Sequence, residues 1–250
     1  MADAFDPAYF ERLAAEEPRS FWFRARNRLL VWALGRYFGG AGSLLEVGCG
    51  TGVVLAALNE AFPDLRLVGS ELYAEGLEVA RRRLPAKVEL VELDARAMPY
   101  EAEFDVVAAL DVLEHVVEDL DVLQGMRRAV RSGGGLLLTV PQHPRLWSAA
   151  DTFSHHVRRY TRRELVHKVE TAGFEVVRAT SFVTSLLPAM VGSRVAHRLV
   201  HRPYDPIAEL DAGVFNTPFE RMLDAERWLI ARGWSLPVGG SLLLVARAQG

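Results

Sequence analysis

Short runs of apolar, often β-branched residues alternate along this chain with segments whose apolar positions recur every three or four residues. The first pattern is that of strands, the second that of amphipathic helices. Strands are predicted over 43–47, 66–71, 88–93, 104–110, 135–140, 174–180 and 241–248, with helices over 53–61, 74–84 and 120–131 between the first five. Such alternation builds βαβ units and predicts an α/β fold, a parallel sheet with helices on both faces.

Two amphipathic segments precede the first strand. Asp6-Pro7 has the form of an N-cap followed by proline at the first helical position, and Tyr9, Phe10 and Leu13 continue as an apolar stripe. A second helix begins at Phe21-Trp22-Phe23 and ends near Phe38-Gly39-Gly40. Beyond the fifth strand, Thr161-Arg162-Arg163-Glu164 is a capping box that opens a helix stopping at Gly173. Residues 181–240 then separate the last two strands; they hold an apolar stretch at 182–200 and a second capping box, Thr217-Pro218-Phe219-Glu220, heading a helix that ends by Gly233. The predicted organisation is a single domain, 1–250: N-terminal helices at 1–40, a core at 41–180, a helical cover over the substrate chamber at 181–240 and a last strand at 241–250. Arg81-Arg82-Arg83 falls in the last turn of a helix, where the helix dipole and solvent account for it.

The most telling local feature is Leu44-Leu45-Glu46-Val47-Gly48-Cys49-Gly50-Thr51-Gly52, a buried strand that breaks into a glycine-rich turn and opens a helix. Glycines at alternate positions admit positive φ and bring bare backbone against a ligand. The N–H groups at the helix start face that ligand. A dinucleotide fingerprint, G-x-G-x-x-G, would need glycine at Val53, and the third glycine arrives one residue early, at Gly52. Glu46 at the strand end disfavours a pyrophosphate and favours a cation such as a sulfonium or an ammonium.

This turn resembles motif I of the class I S-adenosylmethionine-dependent methyltransferases. The resemblance implies their Rossmann-like seven-stranded sheet, S-adenosylmethionine as cofactor, and in-line displacement of its methyl group by an acceptor, most simply a hydroxyl oxygen. It assigns Glu46, Gly48, Gly50 and Gly52 to the cofactor. Glu71, at the tip of the second strand with Leu72 beside it, suits both ribose hydroxyls. Asp94 matches the residue that bonds the adenine amino group, with the Ala95 N–H beside it, while Leu110 and Asp111 fall next to the methionine part. N-terminal helices close over the cofactor in many such enzymes, which makes Phe21, Trp22, Arg24 and Arg28 lid or substrate candidates.

The run Val112-Leu113-Glu114-His115-Val116 is similar to the corresponding segment of ubiquinone-type O-methyltransferases. His115 suits a general base by its near-neutral unperturbed pKa, and equally a structural role at a helix start. Glu114 and His115 are adjacent and point in different directions, so no metal site is expected. The loop after the fifth strand carries His143, Trp147, Asp151, His155, His156, Arg158, Arg159 and Tyr160. It is expected to line the acceptor site, with His143, His155 or His156 as a base and Arg158 and Arg159 as ligands for an acceptor anion. The alternative is an Asp151–His156–Arg159 ion-pair network that holds the loop.

Composition narrows the partners. A formal net charge of -3 gives no global case for nucleic acid, and Ala109-Leu110-Asp111-Val112 lacks the proline and aromatic run with which DNA amino-methylating enzymes grip a flipped base. A small-molecule acceptor is therefore expected. The sole cysteine, Cys49, fits as a small side chain under the turn. No basic-then-apolar leader opens the chain and no apolar run reaches the roughly 18–20 residues that span a bilayer, which points to the cytoplasm. Three other readings stay open: another reaction on the same fold, a non-catalytic cofactor-binding module, and a lipid-like acceptor met at a membrane surface through 182–200 with Arg194, Arg198 and Arg202. Acceptor identity and oligomeric state are open.

Overall fold

The structure, a computed structural model, describes residues 9–199, 210 and 212–249. Its helices are α1 (Tyr9–Glu16), α2 (Phe21–Phe38), α3 (Val53–Ala61), α4 (Ala74–Arg83), α5 (Asp119–Ala129), α6 (Ala149–Phe153), α7 (Arg162–Thr171), α8 (Leu187–Leu199) and α9 (Asn216–Ala231). The strands are β1 (Ser43–Val47), β2 (Arg66–Glu71), β3 (Glu89–Glu92), β4 (Phe104–Leu110), β5 (Val130–Pro141), β6 (Phe174–Phe182) and β7 (Ser241–Ala248). They form one sheet in the order β3-β2-β1-β4-β5-β7-β6. The first five run parallel, and β7 enters antiparallel between β5 and β6. The expected parallel sheet is thus mixed.

Strand periodicity explains the layers. Leu44 and Leu45, Val106 and Val107, Leu137 and Leu138, and Leu243 and Leu244 each send one member to either face. One face packs under α2, α3 and α4 through Leu30, Leu34, Leu55 and Leu77. The other packs under α5 and α7 through Leu123, Met126, Leu165 and Val169. With both faces covered, the central strands read as nearly unbroken apolar runs, which is why they are visible in sequence.

The differences from expectation are local. β5 begins at Val130, because Val130 pairs with Phe104 before the register shifts between Phe104 and Val106. The segment 149–153, expected as loop, forms the short helix α6, held by a capping box between Ser148 and Asp151. Thr161 caps α7 as its spacing predicts, accepting from the Glu164 N–H. Thr217 does not cap α9: that helix starts earlier, with Phe215 at the N-cap position and no side-chain bond there, and Glu220 is drawn instead to arginines of α2. The Asp6-Pro7 cap and Arg202 lie outside the described residues, as do the side chains of 195–199. No helix among the described residues is long and apolar enough to cross a membrane.

Candidate active site

The carboxyl ends of β1, β2 and β4 converge on the glycine turn. Gly48, Gly50 and Gly52 all take positive φ, at 67°, 52° and 74°. Sterics reinforce the requirement, since a Cβ at Gly48 would lie 2.6 Å from Val112 Cγ2 and one at Gly52 would lie 2.8 Å from Leu84 Cδ1. The turn is fastened by Cys49 N–H donating to the Ser70 carbonyl at 2.8 Å.

Acidic side chains ring this turn. Glu46 is 2% exposed and its Oε2 has no hydrogen-bond partner. Burial, with Glu71 and Glu17 adding to it against Arg26, pushes the Glu46 pKa up to about 8. Glu71 is buried at the tip of β2; its Oε2 accepts from the Gly50 N–H at 2.9 Å, and its Oε1 from the Leu72 and Tyr73 N–H groups at 2.8 and 3.1 Å. Three of its roughly four lone-pair sites are therefore engaged, which leaves capacity for one further donor. Leu72 beside it is exposed. Asp94 caps the short 3₁₀ turn Ala95–Ala97 and is gripped by Arg96, with the shortest contact 2.6 Å, which holds its carboxyl below the usual range.

At the tip of β4, Asp111 sits at φ 60°, a conformation an L-residue adopts at a cost of about 1–3 kcal/mol. Its Oδ2 lies 3.2 Å from Arg26 and is without a hydrogen bond. Arg26 also donates to the Leu110 carbonyl at 3.2 Å, lies over the Trp22 ring at 4.8 Å, and keeps its Nε unpartnered. It is buried, unlike Arg24 and Arg28, which the sequence singled out. Those two reach across to α9, where Arg24 meets Glu220 at 2.6 Å and Arg28 meets Glu220 and Asp224 at 2.7 and 2.8 Å. They tie the N-terminal helices to the cover.

Helix α1 is strapped over the turn. Buried Glu17, which follows α1, accepts from Thr51 Oγ1 at 2.6 Å and from Arg83 at 2.6 Å, and Arg83 also donates to the Thr51 and Ala14 carbonyls. Arg82 pairs with Glu11. The predicted dipole-and-solvent role is thus replaced, for Arg83, by a clamp between α1 and the turn. Phe10 adds its ring over Gly76 and against Tyr73, while Tyr9 meets Phe153 edge-on at 4.8 Å between centroids.

Beyond Asp111, a 3₁₀ turn at Leu113–His115 presents two further groups. Glu114 is 1% exposed with Oε2 unpartnered, and burial beside Asp111 raises its pKa well above the carboxylate range. The His115 ring meets the His156 ring at 4.7 Å, nearly perpendicular. His115 is exposed by surface area, yet desolvation of its ring, then the neighbouring His156, push its pKa down, in the direction of a neutral imidazole. Of the four histidines named as possible bases, His115, His143, His155 and His156, the structure joins the rings of His115 and His156. His143 stands apart from that group, at φ 63° with its N–H on the Tyr160 carbonyl, and burial near Arg159 and Arg162 lowers its pKa.

The charged groups of the rest of the loop are internally matched, while the buried Gln142 Oε1 is without a partner. Asp151, fully buried, receives Arg159 at 2.6 Å and His156 Nδ1 at 2.9 Å, which keeps its carboxyl far below the usual range despite burial. Arg159 also donates to the Gln142 carbonyl. Arg158 pairs with Asp119 at 2.5 Å and bonds the Val117 carbonyl. Tyr160 is fully buried and donates its hydroxyl to Asp119 at 2.6 Å. Trp147 donates to Thr152 Oγ1. The two arginines expected to face an acceptor anion are paired within the protein, Arg159 in the network with Asp151 and His156 that the sequence also allowed and Arg158 on Asp119, outside it.

A family model described as a methyltransferase domain matches residues 14–179. The trans-aconitate 2-methyltransferase of Azoarcus sp. (strain BH72) is 33% identical over 121 residues, 48% of this chain and 45% of that protein. The ubiquinone biosynthesis O-methyltransferase of Sodalis glossinidius (strain morsitans) is 30% identical over 129 residues, 48% and 50%. The chain thus spans about half the length of these curated relatives. In fold it is similar to a chain of the Haloferax volcanii complex between the Trm112 methyltransferase activator and a methyltransferase, with TM-score 0.65, 18% identity, and 97% and 95% of the two chains covered.

Proposed function

The chain belongs to the methyltransferase domain family whose model it matches, and from that premise we propose that it transfers the methyl group of S-adenosylmethionine to a hydroxyl of a small-molecule acceptor. The observation that carries this reading is the orphaned oxygen of Glu46, buried at the mouth of a turn that only glycines can form. A buried carboxylate without a partner is costly, and a cationic ligand removes the cost. The donor set fits the group: Glu46 for positive charge, Glu71 and Asp94 on the neighbouring strand tips for hydroxyl and amino donors, bare backbone at Gly48, Gly50 and Gly52, and Arg26, with its free Nε, as the cation within reach of a carboxylate.

S-adenosylmethionine supplies a methyl already activated by its positive sulfur. The chain's own residues then have to orient, desolvate and shield. Glu46 neutralises positive charge, and the one lone-pair site left on Glu71 accepts a ribose hydroxyl, with the Asp94–Ala95 corner next along the sheet edge for the adenine. Helix α1, held by Glu17, Thr51 and Arg83, excludes water from the turn. The acceptor oxygen is placed beside the His115–His156 pair, which follows Asp111 on the same edge. A neutral His115 accepts a hydrogen bond from a hydroxyl, but its depressed pKa makes it a poor sink for a whole proton. The similarity to an O-methyltransferase supports an oxygen acceptor.

Incubation with methyl-labelled S-adenosylmethionine and matched hydroxyl and amine acceptors tests the proposal. Label recovered in a methyl ether, with S-adenosylhomocysteine formed in equal amount, is expected. Cofactor binding with no label transferred to any acceptor would favour a non-catalytic module instead.

A further inference from the structure

Glu114, His115 and His156 each offer a ligand atom, and these atoms lie within 4.8 Å of one another. Adjacent residues on a regular helix would diverge; the tight 3₁₀ turn and the approach of the following loop bring Glu114 and His115 to a common partner in His156. We propose that these three side chains form a binding site for a divalent first-row transition metal ion, with coordination positions left for an exogenous oxygen donor. Two imidazoles and one carboxylate are the donor set of open zinc, manganese and iron sites.

Three independent features make this more than proximity. Glu114 is 1% exposed and its Oε2 has no partner in the protein, so a carboxyl oxygen is buried with nothing to satisfy it. His156 is pre-oriented: the buried Asp151 carboxylate can only accept, so Nδ1 carries the proton at 2.9 Å and Nε2 is the nitrogen not used by Asp151. A carboxylate behind a histidine is the outer-shell arrangement that fixes tautomer and ring direction in metal centres. His115 is likewise bonded to backbone, at Ser154.

The frame is rigid as well. Val157 N–H donates to the Glu114 carbonyl at 2.7 Å, and His156 N–H to the Asp151 carbonyl at 2.9 Å, so the two segments that supply the ligands are stitched together next to the ligand atoms. His115 is exposed, which gives an ion a way in. A role in turnover rests on the methyl-transfer reading: an ion here would bind the acceptor hydroxyl and favour loss of its proton to solvent, and the O–C bond would then form as the methyl C–S bond breaks and S-adenosylhomocysteine leaves with the electron pair. Ion binding itself does not rest on that reading.

The test is titration of the full chain, stripped with a chelator, with Co²⁺ followed by visible ligand-field absorption, and with Mn²⁺ followed by electron paramagnetic resonance. One ion per chain is expected. His115→Ala, His156→Ala and Glu114→Gln should each weaken binding by about tenfold or more, while the surface variant His167→Ala leaves it unchanged. S-adenosylhomocysteine binding, measured on every variant, reports the fold and the cofactor site separately, and His115→Asn replaces an alanine variant that does not fold. Protein that binds S-adenosylhomocysteine but takes up no ion, or takes it up equally well without His115 and His156, overturns the proposal. Stoichiometric ion binding that these variants abolish, in a protein that transfers no methyl, upholds the site and counts only against the methyl-transfer reading.

Discussion

The glycine-turn rim and the loop after β5 are equally rich in charge, yet they treat it in opposite ways. At the rim, Glu46 Oε2, Asp111 Oδ2, Glu114 Oε2 and Arg26 Nε are buried and lack hydrogen-bond partners. In the loop, Asp151, Arg158, Arg159 and Tyr160 close on one another or on Asp119 at 2.5–2.6 Å. An unmatched buried polar atom calls for a partner; at the rim several such atoms converge on the glycine turn, whereas the charges of the loop are matched within the protein and serve as scaffold. His156 belongs to both: one nitrogen is spent on Asp151 and the other is not.

Breaking the scaffold should have the largest effect. Asp151→Ala strands Arg159 in the interior and is expected to cost about 3–5 kcal/mol of unfolding free energy, seen in a denaturant melt, with the folded fraction binding cofactor normally. At the rim the pattern reverses. Glu46→Gln should leave the melt unchanged below about pH 4.5 and raise it at neutral pH, where folding no longer has to protonate a buried carboxyl, and should weaken S-adenosylmethionine by about tenfold to a hundredfold, the value of a charge-assisted contact. A loss of stability without a loss of affinity there would invert the comparison.

Acidity sharpens the same contrast more gently. The Glu46 pKa is raised from 4.5 to about 8, so the unliganded fold is favoured by its neutral form below 4.5 and loses that contribution as pH climbs towards 8. Glu17 and Glu71, raised by burial, act in the same direction. A cation prefers the carboxylate, so its binding should release a proton and tighten with pH by up to about tenfold per unit, levelling near 8. Asp151, depressed instead, contributes stability above the ordinary aspartate range that is lost only as pH falls through its lowered pKa. Calorimetry in buffers of different ionisation enthalpy counts the proton, and Glu46→Gln should remove it. Smallest of all, Arg24→Ala breaks a part-exposed tie between α2 and α9, and should cost below about 1 kcal/mol in the same melt.

The sheet was legible because its central strands are covered on both faces and therefore unbroken in apolar character; the glycine turn was legible because backbone conformation there excludes other residues. Arg26 was legible too, though overlooked. It falls three residues after Phe23 and four before Leu30, on the buried stripe of α2, whereas Arg24 and Arg28 lie off it. The capping spacing of Ser148 and Asp151 likewise announced α6. Nothing in sequence could announce Glu17 on Thr51 and Arg83, or His156 beside His115, since those contacts depend on how distant segments pack. The same limit hid the fate of Arg158 and Arg159, whose partners lie on other elements or across a turn.

The central claim, that acids at the strand tips around a glycine bend hold a positively charged methyl donor, meets its most direct test in a calorimetric titration of the full chain. Saturable one-to-one uptake of S-adenosylmethionine, with no heat from a nicotinamide dinucleotide, is the predicted result. Uptake of the dinucleotide and none of S-adenosylmethionine would contradict it.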